Sequence, residues 1–175
     1  VEDSYDWNSL TTTLTANTSD GIFNYALVGT GSRFKVIEIY NNTNRYHLES
    51  RDGVSMTQSF VSSPNPQKGA PYYYNFNGVD SNGDTQVDLF PIPDGVYTIY
   101  FNIYQPQAEL ATDAATMIVP KEPVILLALA RSLVERGEDG GLTNSEAYGM
   151  FKSALADYIA IEQSRYNELD SWNWA

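Results

Sequence analysis

Between Tyr97 and Tyr104 the chain alternates with period two. Tyr97, Ile99, Phe101 and Ile103 lie on one side, and Thr98, Tyr100, Asn102 and Tyr104 on the other. Successive side chains of a strand point to opposite faces, so the pattern predicts a β-strand with one buried face. The strand is entered through Pro91-Ile92-Pro93 and Asp94-Gly95. There proline fixes φ and glycine supplies the backbone freedom of a tight bend. Upstream, strands are expected over 22–28 and 34–40, joined by Gly29-Thr30-Gly31, with a turn at 41–44 and a return strand over 45–49. The first twenty residues are polar and Thr-rich, with Trp7 and Leu10 as apolar anchors. Asp52-Gly53 can cap a short helix through Met56 and Phe60, with β-structure as the alternative, and 62–71 is a Pro- and Gly-punctuated loop. Segments 72–76 and 86–90 flank Asp80-Ser81-Asn82-Gly83-Asp84. Asn-Gly between two β-runs predicts a hairpin closed by a type I′ turn.

Past residue 120 the period changes. Pro123 sits in the first turn of a helix over 123–136, where Ile125, Leu126, Leu129 and Leu133 recur at helical spacing and Gly137 ends the run. A connector at 138–141 leads to Thr143 and Glu146, the ends of a capping box. Tyr148, Phe151, Leu155 and Tyr158 then follow a three-four-three rhythm on one face of a second helix running to about residue 169. The chain finishes on Ser171-Trp172-Asn173-Trp174-Ala175.

The expected class is therefore α+β. An antiparallel β-domain over 1–105, sandwich or barrel-like, is followed by a linker over 106–120 and a two-helix hairpin over 121–175 that joins a helical bundle in one compact unit. The first helix is apolar around much of its circumference, and the β-layer covers only one side of it. The rest calls for another helix, from a neighbouring subunit or from sequence preceding Val1.

Charge narrows the partners. Ten basic against 22 acidic residues leave a net charge of −12, which opposes binding to phosphate backbones or anionic membranes. No run is long and apolar enough to span a bilayer, 124–130 being the best, and no secretion signal is visible at the N-terminus. The chain has no cysteine, which removes disulfides and thiolate metal sites.

Candidate chemistry is thin. Asp80, Asn82 and Asp84 have the one-three-five spacing of a calcium loop, with Asp88 at the ninth position. The glycine, however, is fourth rather than sixth, and Pro91 occupies the twelfth position, so a plain hairpin turn is the expectation. His47 lies near Ser50 and Asp52 without a nucleophile-elbow pattern and reads as a surface histidine. No catalytic residue, cofactor or metal is expected. Tyr72, Tyr73, Tyr74, Tyr97, Tyr100 and Tyr104 could stack sugar rings, which leaves a carbohydrate-binding β-sandwich module as the alternative function. The plainer reading is that they fill and border the β-core. Trp172 and Trp174 are typical interface anchors, docking either on this chain's own core or on another subunit.

An ordered set of segments resembles the adaptor, or head-to-tail connector, proteins of tailed bacteriophages. It comprises Tyr5-Asp6-Trp7-Asn8-Ser9-Leu10, Gly21-Ile22-Phe23-Asn24-Tyr25 leading to Val36-Ile37-Glu38-Ile39, and Lys68-Gly69-Ala70-Pro71-Tyr72-Tyr73-Tyr74. It continues with Pro91-Ile92-Pro93 and its strand, Ala108-Glu109-Leu110, Val119-Pro120 and the two helices. The resemblance implies a non-enzymatic virion protein of the neck, forming a twelve-fold homo-oligomeric ring beneath the portal. Such a ring extends the DNA channel and presents a landing surface for the tail or nozzle, with genomic DNA only passing through. Members of that family usually carry a helical region ahead of the tryptophan that Trp7 resembles, and that region is expected to be missing here. On this resemblance Tyr148, Phe151, Leu155, Tyr158, Trp172 and Trp174 are expected at subunit or portal interfaces. Pro64, Pro66, Asp80, Asn82 and Asp84 are expected in tail-facing loops.

Overall fold

The computed structural model describes residues 1–29, 33–61, 64–112, 114–136 and 144–165. The architecture is α+β and divides into two compact units, Thr11–Pro106 and Val1–Leu10 together with the chain from Gln107 onward.

The Thr11–Pro106 unit holds two four-stranded sheets. The first has β1 (Thr11–Asn17), β8 (Thr98–Tyr104), β3 (Lys35–Asn41) and β4 (Tyr46–His47) in the order β1-β8-β3-β4, all antiparallel. The second has β2 (Asn24–Ala26), β7 (Thr85–Phe90), β6 (Tyr73–Val79) and β5 (Glu49–Ser50) in the order β2-β7-β6-β5, with β5 parallel to β6. β8 lies between β1 and β3 and alternates as its sequence predicts: Ile99, Phe101 and Ile103 are fully buried, and their neighbours are half-exposed. With Ile39 from the same sheet and Val87 and Leu89 from the other, they form one core between the sheets. Of the sandwich and barrel-like forms expected, two separate sheets sharing one core make the sandwich, with one parallel pairing added.

Four local features differ from the sequence reading. Residues 11–17 form a full strand, β1, whose threonines suit a pleated surface and whose Leu14 and Ala16 pack against the core. Of the strand expected over 22–28, only Asn24–Ala26 is regular, with the Leu27 N–H (2.9 Å, to Thr85) and the Phe23 carbonyl (2.8 Å, from Leu89) adding a bond to β7 at each end. The return strand over 45–49 is split between the sheets. Leu48 donates its N–H to Ile39 in the first, and Glu49 donates its own to Tyr72 in the second, so buried Leu48 marks the corner. At 80–84 the turn is not type I′, because Gly83 (φ 86°) has positive φ and Asn82 does not. Gly83 N–H donates to the Asp80 carbonyl (3.1 Å) and Asp80 N–H to the Asp84 carbonyl (2.8 Å). This is a three-residue loop, in which a tight turn is followed by a left-handed glycine.

The short helix at Asp52-Gly53 is realised as α1 (Gly53–Val61). Asp52 caps it, its Oδ2 accepting the Ser55 N–H at 2.9 Å. Met56 is buried, and the ring of Phe60 packs between Phe23 (4.4 Å between centroids) and Phe90 (5.7 Å).

In the other unit, α2 (Lys121–Arg136) and α3 (Asn144–Arg165) pack antiparallel, the start of α2 lying beside the end of α3. Pro123 and Ala130 on α2, with Ala147 and Phe151 on α3, are their buried positions. Trp7 is 2% exposed and belongs here. It packs with Leu10 and Val119, bordered by Val124, Leu155, Tyr158 and Ile159. Its indole N–H donates to the Val1 carbonyl (3.1 Å), and the Asn8 N–H reaches the Glu162 carboxylate (3.2 Å). Residues 117–119, expected as part of a linker, contribute Met117 and Val119 to this cluster. The capping Thr143, the 138–141 connector, and Trp172 and Trp174 lie outside the described residues.

Candidate interface on the helical unit

An isolated two-helix pair buries one stripe of each helix, and the remaining apolar positions face outward. On α2 these are Ile125 (63% exposed), Leu129 (42%) and Val134 (59%); on α3 they are Tyr148 (43%), Met150 (50%) and Ile161 (52%). Fully burying an exposed side chain of this size is worth about 1.5–3 kcal/mol, and since these are about half exposed roughly half of that is open to association at each.

The four residues on the predicted α3 face separate into three settings. Phe151 is buried inside the helical pair and has little surface left for a neighbour. Leu155 and Tyr158 border the Trp7 cluster. The Tyr158 hydroxyl donates to Glu122 Oε2 (3.2 Å), and this bond to a carboxylate raises the tyrosine pKa above its ordinary value. Only Tyr148 stands out from the surface, its ring tilted against Phe151 (5.6 Å) and capped by the Lys152 ammonium at 4.9 Å. The three-four-three rhythm therefore tracks mainly the inward face of α3. Met150 and Ile161 fall off that rhythm; their one signal was being large and apolar on a helix whose inward stripe was already complete.

The two sets of loop residues lie at opposite ends of the β-unit. The Asp80–Asp84 turn sits at the end where β8 finishes: Gly29 N–H donates to Asp84 Oδ1 (2.9 Å), and the Gln105 amide donates to the Gly29 carbonyl (2.7 Å). Thr11, opposite Tyr104, starts β1 at this same end. The chain beyond Pro64 and Pro66 is held at the other end. There Ile92 N–H donates to the Gln67 carbonyl (3.0 Å), Gly69 N–H to Ile92 (2.9 Å), and the Lys68 ammonium to Asp20 (3.1 Å). Seven residues of β8 separate the two ends by roughly 20 Å. One flat contact surface at an end of this unit takes one loop or the other.

Within the turn the carboxylates serve the backbone. Asp80 Oδ1 accepts from Asn82 (2.8 Å) and Asp84 (2.9 Å), so this loop's oxygens close the turn. Exposed His47 meets Glu38 (3.4 Å) and the Tyr40 ring (5.1 Å).

The tyrosines do not form a single platform. Tyr72 stacks across the sheets on Tyr46 of β4 (4.6 Å), while Arg51 lies over Tyr73 of β6 (5.1 Å) and Tyr74 packs on the core. Tyr100 and Tyr104 belong to the first sheet, Lys35 lying over Tyr104 (5.7 Å), and the Tyr97 hydroxyl is bound to Asp94.

Among the described residues no helix is long and apolar enough to cross a membrane, and no group of three or more acids and histidines is placed to hold a metal ion. Comparison with curated proteins gives no match. The model of one protein family, described as SU10 adaptor protein, matches residues 2–173, nearly the whole chain. A match of that extent shows the family, and the exposed helical faces are what a protein that joins other proteins presents: the chain belongs to the SU10 adaptor proteins, a bacteriophage head–tail adaptor family with a structural role in the virion.

Proposed function

We propose that this protein acts without catalysis as a ring subunit of the phage neck, joining the portal to the tail or nozzle and extending the channel through which DNA passes. The observation that carries this reading is the exposed apolar surface on α2 and α3. A family whose role is adaptation must bury such surface against other chains, and Ile125, Leu129, Val134, Tyr148, Met150 and Ile161 supply it. Twelve-fold symmetry is the part of this reading that only the family resemblance supports. The net charge of −12 suits a channel wall that repels the phosphate backbone and so lets DNA move without sticking. Trp172 and Trp174 are suited to clamp a neighbouring subunit or the portal. Of the two loop sets, one contacts the tail side and the other points away from it. Co-expression with the portal protein of the same phage, followed by native mass measurement and electron microscopy, tests the reading. Closed rings seated on the portal are expected. A chain that stays monomeric in the portal's presence would overturn it.

A further inference from the structure

Two apolar faces flank the seam between α2 and α3, and they have no residue in common. Each residue turns a helix by about 100°. On α3 this sets Met150, Asp157 and Ile161 on one side of the buried Ala147–Phe151 line and Tyr148 on the other. On α2 it sets Glu122 and Leu126 on one side of buried Pro123 and Ala130, and Leu127, Arg131 and Val134 on the other. The first face is a groove of about 450 Å³ whose apolar lining, Leu126, Met150 and Ile161, is bordered by Glu122 and Asp157. The second is a groove of about 700 Å³ lined by Leu127, Val134 and Tyr148 beside Arg131. One face is acidic and the other basic. Among the described residues neither Arg131 nor Asp157 has an ion-pair partner within the chain.

Resting on the ring reading above, we propose that these faces are the two halves of one head-to-tail contact between copies of this chain. The Tyr148–Val134–Arg131 face of each copy docks on the Met150–Ile161–Asp157 face of the next. Charge selects this arrangement. A two-fold contact pairs a patch with itself, which would set Asp157 and Glu122 against their own counterparts, or Arg131 against Arg131. The head-to-tail contact sets Arg131 against Asp157 and Glu122 while covering both apolar faces of every copy. Because its two surfaces differ, such a contact leaves no face bare only when the series closes on itself.

The absence of cysteine makes the test clean. Val134→Cys and Met150→Cys fall at half-exposed positions and should leave the fold intact. The variants are assembled with the portal and treated with a short bismaleimide. The double variant should give a ladder of covalent oligomers, an equal mixture of the two single variants should stop at dimers, and neither single variant alone should cross-link. Cross-linking of either single variant with itself, or rings that yield no ladder, would overturn the proposed faces while leaving the ring reading in place. Failure of the unsubstituted chain to form rings would instead overturn the ring reading. In a second arm, Arg131→Glu should lower the assembled fraction about tenfold and Arg131→Glu with Asp157→Arg should restore most of it. An unrestored double variant counts against the pairing.

Discussion

Thr18 and Tyr97 bind each other twice across 79 residues of sequence. The Thr18 N–H donates to the Tyr97 carbonyl (2.9 Å), and the Tyr97 N–H donates to Thr18 Oγ1 (2.8 Å). The same hydroxyl donates to the Gly95 carbonyl (2.8 Å), and Thr18 is 1% exposed. One side chain thereby fixes the end of β1 to the corner that leads into β8. Thr18→Val keeps the shape but leaves the half-buried Tyr97 N–H and Gly95 carbonyl without this partner, which costs about 1 kcal/mol or more. Urea unfolding followed by circular dichroism should show that loss, and Thr18→Ser should recover most of it.

Among the described residues, Trp7 is the largest fully buried side chain of the helical unit. Trp7→Ala should cost about 3–5 kcal/mol and loosen α2 and α3 while the sandwich core persists. Hydrogen exchange resolved by segment checks this: faster exchange over 121–136 and 144–165, with 98–104 unchanged, is the expected pattern. Equal loss in both units would mean that Trp7 supports more than its own cluster.

Gly83 has φ 86° and open space where an alanine methyl would stand, so Gly83→Ala meets no steric contact and only the backbone penalty. That penalty is about 1–2 kcal/mol, readable as a lower urea midpoint. With Asp80 already accepting two backbone N–H groups, millimolar calcium should leave the melting temperature unchanged. A calcium-dependent rise would assign the loop a second task.

Hydrogen bonds from Ser55, from its side chain and then its backbone N–H, hold the Asp52 carboxyl below its ordinary pKa of 3.8. A depressed carboxylate contributes stability above that ordinary value and loses it as pH falls through the lower one. Asp52→Ala should therefore weaken α1 at neutral pH, and the gap from the unsubstituted protein should narrow only as pH falls below 3.8. Amide exchange of Ser55 and Met56 at pH 7 and pH 3 measures it. A gap that is the same at both would show that the cap does not act through charge.

How much of this was readable in advance depended on how local each signal is. The alternation at 97–104, the helical spacing from Pro123 and the glycine in the 80–84 turn all act within a few residues, and each element stands where the sequence places it. The interface was legible only in part. The Tyr148-to-Tyr158 rhythm marks an amphipathic face, but a rhythm does not say whether that face turns toward the partner helix or away from it. Phe151 went inward, and Met150, off the rhythm, went outward.

By itself, then, the sequence determined the kind of element at most positions, the acidic character and the family, because periodicity, charge and motif order are properties of neighbouring residues. Only the tertiary structure decided that Trp7 joins helices more than a hundred residues away, that a run of threonines pairs with β8, and that Leu48 carries the chain from one sheet to the other. It alone put the two loop sets at opposite ends and, among the described residues, left one apolar face bordered by Glu122 and Asp157 and another bordered by Arg131. Those outcomes depend on which distant surfaces bury one another, and burial is settled by the whole packed chain rather than by any window of it.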